Sequence, residues 1–331
     1  MPLSAIPSIA VVIPVKNGFP EIRDCIEGLL LQTVRVNRIL VIDSGSSDGT
    51  LEYLETIKEV EIIRIDPEDF NHGDTRNLGW QNAKEEFLFY TVQDARPVNN
   101  QLLEELLKGF TDDDVVGVCG QQVVPHERKN NPVEWFRPVS DPLNMRYQYP
   151  SAAEFEVLSP EKMKSICAWD DVVALYRRSA LERIPFQRIV FGEDMLWAKE
   201  TLRAGYAIAY NQGARVYHYH LENPEFTFRR SFTTLYFRYL HFGYIPPLAA
   251  LSIRRKISMA KILFQSLGLD LNAVLKWYSY NIKGAASYAR AYTVFTESLK
   301  KGAGALDAAH QKYCGMPPVP PKNLENARAI S

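Results

Sequence analysis

Cysteine is scarce in this chain: four thiols, Cys25, Cys119, Cys167 and Cys314, are spread over 331 residues with no close pair. That spacing excludes a disulfide scaffold and a Cys-rich metal knuckle, and thiols so far apart are expected to be free. Long apolar runs are lacking too. No window approaches the roughly 20 uninterrupted apolar residues of a membrane-spanning helix. The opening M-P-L-S-A-I-P-S has neither the charged nor the apolar region of a signal peptide, so a cytoplasmic protein is expected. Net charge is small as well, -1 at neutral pH, which gives no overall attraction to nucleic acid or acidic lipid and leaves only local patches for such partners. A G-x-G-x-x-G is also missing after the first strand-like segment, where V-K-N-G-F-P-E stands instead, and this argues against a dinucleotide-dependent dehydrogenase.

What is present is enough apolar sequence for a full core: 46% of the residues are hydrophobic and 23% charged, as in one large domain with an appendage. Short β-branched or aromatic runs at 9–14 (I-A-V-V-I-P), 38–43 (R-I-L-V-I-D), 60–65 and 87–97 (F-L-F-Y-T-V-Q-D-A-R-P) alternate with helical spacing at 20–32, 50–57 and 74–83. Strands alternating with helices predict an α/β fold with a parallel sheet. Helix 99–110 and strand 115–122 continue the pattern. Residues 125–160, dense in proline, aromatics and charge without a period, read as surface loop. A strand at 172–176, a helix at 191–204 with Glu193 and Asp194 in its first turn, and a strand at 206–210 follow. Beyond them lie an aromatic and basic stretch at 226–242 and helical runs at 249–265, 272–286 and 289–301.

Ligands in open α/β sheets gather at the carboxyl ends of strands. Asp94 stands at such an end, and a carboxylate there needs a partner, either a metal ion carrying a diphosphate or the start of the next helix. The loop after the second strand offers Asp43, Ser44, Ser46, Ser47 and Asp48, which suits either a ribose and base edge or a Ser/Asp turn with a helix N-cap. His218 and His220 alternate onto one face of an extended chain, as two metal ligands or two core imidazoles would.

Five segments in this order, I-P-V-K-N, V-I-D-S-G-S-S-D-G-T, N-H-G-D-T-R-N, Q-D-A and F-G-E-D-M-L-W-A, resemble an inverting family-2 glycosyltransferase of the GT-A fold. The N-H-G-x-T-R-N and Q-D-A variants are most similar to bacterial rhamnosyltransferases that use dTDP-L-rhamnose. The resemblance spans roughly residues 8–220 and implies a mostly parallel central sheet flanked by helices. It implies that Pro14, Lys16, Asn17, Asp43, Ser44, Ser46 and Gln93 surround the nucleotide, and that Arg76 faces it. Asp171 then accepts from a sugar hydroxyl, and Asp194 is the general base with Glu193 orienting it or the acceptor. Asp94 with His218 or His220 holds a divalent cation, Mg2+ or Mn2+. The family's D-x-D appears as V-Q-D, with Val92 where a carboxylate usually stands, which leaves Asp94 as the one acidic ligand.

The expected organisation is therefore a GT-A domain at 1–222, with a nucleotide-binding half at 1–98 and a catalytic half at 99–222, a helical region at 223–316 and a disordered tail at 317–331. Expected partners are the donor dTDP-L-rhamnose, a glycan or lipid-linked acceptor, a second copy of the chain, and the membrane surface through Arg229, Arg230, Arg254, Arg255 and Lys256; no nucleic acid is expected. A UDP-hexose donor, or a catalytically silent sugar-nucleotide-binding or scaffold protein, is compatible with the same motifs.

Overall fold

The structure is a computed structural model that describes residues 7–135, 144–248, 251–266 and 268–314, so the 317–331 tail lies outside the described residues. Nine strands form one sheet: β1 (Ile9–Val15), β2 (Arg38–Asp43), β3 (Val60–Arg64), β4 (Phe87–Tyr90), β5 (Arg96–Pro97), β6 (Val115–Val123), β7 (Asn144–Tyr147), β8 (Ala174–Arg177) and β9 (Ala207–Tyr217). Their order is β3-β2-β1-β4-β8-β6-β9-β5, with β7 added on β9. This is the expected α/β, GT-A type of architecture. The parallel pairing predicted from the strand–helix alternation holds for β3, β2, β1 and β4. From β8 onward the pairing is antiparallel, so the sheet is mixed. Antiparallel neighbours need no crossover helix, and the second half of the domain accordingly departs from strict alternation.

β1 runs at the centre with six of its seven residues buried, which is why its sequence is a nearly continuous β-branched run rather than an alternating one. On one side the helix Glu21–Leu30 sets Ile22, Cys25, Ile26 and Leu29 against it. On the other side the helix His72–Asn82 approaches so closely that a Cβ on Gly79 would lie 2.5 Å from Val12 Cγ1. β4 ends at Tyr90, four residues short of Asp94, because the chain turns there: the Ala95 N–H donates to the Val92 carbonyl. All four cysteines are free thiols, and Cys25, Cys119 and Cys167 are buried.

The chain divides into two compact units, one built from Met1–Gln122 and Val139–His218 and the other from Val123–Pro138 and Tyr219–Pro320. The second unit contains the helices Pro224–Phe242, Ile253–Gln265, Leu271–Lys300 and Ala303–Cys314. Its helix Leu271–Lys300 replaces the two runs read at 272–286 and 289–301. The small residues Gly284 to Ser287 interrupt the apolar period without breaking the helix, since none is proline. Packing holds both ends, with Val274 and Trp277 in one cluster and Ala291 and Phe295 in another. The segment read as loop at 125–160 contains, among its described residues, a short 3-10 turn at Pro132–Glu134, strand β7 and the helix Ala152–Glu156. No described helix is long and apolar enough to cross a membrane.

Candidate active site

Three loops meet at the carboxyl ends of β1, β2 and β4, and side chains stitch them together. Asn17 takes a left-handed conformation (φ 49°), which asparagine tolerates better than most residues. Its N–H donates to Ser46 Oγ at 2.9 Å, and its Oδ1 accepts the Ser47 N–H at 2.9 Å. Gln93 bridges to the first loop, accepting the Lys16 N–H at 2.9 Å and donating to the Lys16 carbonyl at 3.3 Å. Asp43 is buried and accepts the N–H groups of Gly45 and Ser46, while the Ser44 hydroxyl donates to the Val15 carbonyl. Asp43 and Ser44 therefore shape the loop from within. Pro14 is half-buried at the end of β1, and Lys16 and Asn17 are the exposed groups.

A second cluster forms beside the turn after β4. Asp94 Oδ1 stands 3.5 Å from His218 Nε2, just past the end of β9. Ligand atoms of Asp94, His218 and His220, two residues further on, all lie within 4.8 Å of one another. Behind His218, Gln122 at the end of β6 contacts both Nδ1, at 2.7 Å from its Oε1, and the Asp170 carboxylate through its Nε2. An ionised carboxylate only accepts, so Asp170 orients the Gln122 amide with its oxygen toward the ring, and Nδ1 must donate. In the neutral imidazole, Nε2 then presents a lone pair toward the Asp94 carboxylate. Two acceptors facing each other are joined by a positive charge between them, either a proton on Nε2 or a bound metal ion. Ligand atoms each about 2.1 Å from one cation and about 100° apart stand about 3.2 Å from each other, close to the observed separation. Donor set and geometry thus fit a divalent ion.

The third cluster is acidic, with Arg76, Asp171 and Glu193 buried and Asp194 half-buried. Arg76, on the helix His72–Asn82, is 6% exposed and pairs through Nε with Asp171 at 2.7 Å and through Nη1 with Glu193 at 2.9 Å. Its guanidinium is thus engaged by two carboxylates, which outweigh the burial that opposes its charge and raise its pKa. Asp171 also accepts from the Tyr176 hydroxyl, which in turn accepts the Trp169 indole N–H at 2.6 Å. Burial, assisted by Glu193 and opposed by Arg76 and the Tyr176 hydroxyl, pushes the Asp171 carboxyl up to about 7. Asp194 follows Glu193 in the first turn of the helix Glu193–Arg203, where the helix dipole and open N–H groups favour an acid. Its Oδ1 accepts the Met195 N–H at 2.7 Å and its Oδ2 the Asp171 N–H at 3.3 Å. Burial, then the charges of Glu193, Asp171 and Asp170, raise its pKa well above the usual carboxylate range.

The structure thus gathers Arg76, Asp171, Glu193 and Asp194 in one cluster, Asp94, His218 and His220 in another, and Lys16, Asn17, Asp43, Ser44, Ser46 and Gln93 on the three loops. Reading the sequence missed Gln122, Asp170 and Tyr176 as members of these clusters. The signal for Gln122 was the polar Q-Q pair that closes the apolar run of β6, just as Asp94 follows the run of β4.

The glycosyl transferase family 2 model matches residues 10–184, more than half of the chain. The chain is 31% identical over 232 residues to the O-antigen chain rhamnosyltransferase RfbN of Salmonella typhimurium, covering 68% of this chain and 71% of that protein. It is 32% identical over 236 residues to the O-antigen chain rhamnosyltransferase WbaN of Salmonella anatum, covering 69% and 71%. Among solved structures, its fold is similar to that of the mannosyltransferase PcManGT from Pyrobaculum calidifontis in complex with GDP-Man and Mn2+, with a TM-score of 0.53 and 17% identity over 86% of this chain and 88% of that one. The chain belongs to glycosyl transferase family 2, and its activity is glycosyl transfer.

Proposed function

We propose that this enzyme moves L-rhamnose from dTDP-L-rhamnose, with inversion, to a hydroxyl of a cell-surface glycan or its lipid-linked precursor. The observation that carries the reading is the identity of 31% and 32%, across 68% and 69% of the chain, to two O-antigen chain rhamnosyltransferases. The reading sets the enzyme in the cytoplasm, at the inner face of the membrane where a lipid-linked acceptor is reached.

In this reading Asp194 is the base. It takes the proton of the acceptor hydroxyl as that oxygen bonds to the anomeric carbon on one face and the bond to the diphosphate breaks on the other. The raised pKa of Asp194 makes it a stronger proton acceptor than an exposed aspartate. The Asp171 and Met195 N–H groups each hold one of its oxygens, which orients the carboxylate, and Arg76 pairs with the neighbouring Asp171 and Glu193. Asp94 and His218, joined by His220, would hold Mg2+ or Mn2+, with Gln122 and Asp170 fixing the His218 ring. An ion held there would supply positive charge to offset that of the departing diphosphate. Pro14, Lys16, Asn17 and the 43–46 loop border the base and ribose, with Gln93 locking the first loop to the turn that carries Asp94.

Donor choice tests the reading. A site shaped for the C6 methyl of rhamnose leaves a hexose hydroxyl without a partner, which costs roughly 1–3 kcal/mol. With the cognate acceptor, dTDP-L-rhamnose should exceed dTDP-glucose and UDP-glucose by about tenfold or more in kcat/KM. Faster turnover of UDP-glucose would refute the rhamnose assignment and leave the family unchanged.

A further inference from the structure

Acidic residues are almost missing from the second unit's central stretch. Between Glu225 and Glu297 the one acid is Asp270, against ten lysines and arginines, in a chain whose net charge is -1. Asp270 is itself engaged as a helix cap, accepting the Ala273 N–H at 2.8 Å. The cations at the two ends of this stretch are not equivalent. Arg229 and Arg230 are paired with Glu225 and Glu222. The helix Ile253–Gln265 carries Arg254, Arg255, Lys256 and Lys261 and no acid at all.

The same helix is apolar on two faces. Met259 and Leu263 point into the unit, packed with Val274 and Trp277. Ile253, Ile257 and Phe264 fall within about 40° of one another on a helical projection and are 76%, 64% and 68% exposed. Lys256 borders this stripe on one side, and Arg254 and Lys261 border it on the other. Leu271 and Leu275, at the start of the next helix, are 63% and 58% exposed. An exposed Phe between two β-branched residues gains nothing in water, and a stripe of them flanked by cations has the build of a helix that lies in a lipid interface.

We propose that the helix Ile253–Gln265 is a docking surface for anionic membrane, with Ile253, Ile257 and Phe264 entering the acyl boundary and Arg254, Lys256 and Lys261 meeting lipid phosphates. Charge complementarity selects this occupant: an acid-free face carrying several cations repels a second copy of itself, whereas a negative bilayer attracts each of those cations. The surface lies on the membrane and does not span it, since no described helix is long and apolar enough to cross. The proposal deepens the membrane setting of the function proposed above and rests on that reading only for why the enzyme would need a membrane.

The test is sedimentation of the full chain, without donor or acceptor, with vesicles of mixed phosphatidylglycerol and phosphatidylcholine and with vesicles of phosphatidylcholine alone. Binding is expected to the anionic vesicles only, and to weaken as salt rises. Ile257→Asp with Phe264→Asp should abolish it, and Arg254→Gln with Lys261→Gln should weaken it about tenfold or more, given the worth of each cation near a charged surface. Leu31→Asp, at a site 73% exposed in the first unit, should change nothing. All of these side chains are exposed, so retained melting temperatures serve as the folding control. Equal binding to both vesicle types, or full binding by the Ile257/Phe264 variant, would overturn the proposal. So would a concentration-dependent dimer that the same variant dissociates, since the face would then belong to a second copy. Donor turnover is measured separately on a water-soluble acceptor, so a failure of the rhamnosyl reading and a failure of this one are told apart.

Discussion

Among the described residues Arg76 is the cation paired with the buried carboxylates Asp171 and Glu193, and Arg76→Met measures what that charge supports. The guanidinium is 7% exposed in its side chain, and its partners Asp171 and Glu193 are 1% and 6% exposed, so solvent screens neither contact. Removing one partner of a buried ionic group leaves the others uncompensated and costs about 3–5 kcal/mol. For a domain of this size that corresponds to a fall of about 6–20 °C in Tm, at roughly 2–4 °C per kcal/mol. The loss should grow with pH. The folded Asp171 carboxyl, at about 7, lies above its unfolded value of about 3.9, so the folded state binds more protons between those values. A raised carboxyl therefore contributes stability at low pH that is lost as pH rises through this window. Arg76 holds the Asp171 value down, so its removal moves the upper edge of the window above 7. Urea unfolding of wild type and variant at pH 5 and pH 8 should give a distinctly larger difference at pH 8. A difference below about 1 kcal/mol that does not change with pH would refute the reasoning, because the carboxylates would then be stabilised without the guanidinium. Arg76→Lys keeps the charge but cannot span both carboxylates as the planar fork does, and should fall between the two.

Asp194→Asn should lower kcat by roughly 10²-fold or more while donor affinity by calorimetry stays within about twofold, the result expected of a lost general base. In the wild-type enzyme the acid limb of the kcat–pH profile should lie above the ordinary carboxylate range, because burial and the neighbouring carboxylates raise the pKa of Asp194; a limb near pH 4 would contradict this. Gln122→Leu removes the acceptor of His218 Nδ1 and should weaken Mn2+ binding, titrated by electron paramagnetic resonance without donor, by about 10–100-fold. Unchanged Mn2+ affinity would remove Gln122 from the support of that ring.

The parallel half of the sheet was legible because strands covered on both faces need apolar side chains at every position, and β1, β2 and β4 show that in sequence. The antiparallel half was less legible, since β8 is only four residues long and its first two predicted residues, Val172 and Val173, belong to the preceding turn. At the site, Asp94 and the 43–48 loop announced themselves by position, as polar residues at the ends of apolar runs, whereas Asp194, one of two acids in a helix's first turn, stood out only through the resemblance of the F-G-E-D segment. Gln122 stands at such an end too, after the apolar run of β6, but its contacts with His218 and Asp170 were hidden, because they depend on the pairing of β6, β8 and β9, far apart in the chain. The partners of Arg76 were hidden for the same reason: Asp171 and Glu193 lie about a hundred residues away from it.

Asp170 and Asp171 are neighbours in the chain, and each serves a different cluster. The carboxylate of Asp170 reaches His218 through Gln122, while the backbone N–H of Asp171 reaches Asp194. One trans peptide, about 3.8 Å from Cα to Cα, therefore separates the anchor of the pair that would carry the leaving group's charge from the anchor of the carboxylate that would take the acceptor's proton. Both clusters are in this way anchored on one main-chain unit, and a single residue inserted between 170 and 171 should shift one anchor against the other.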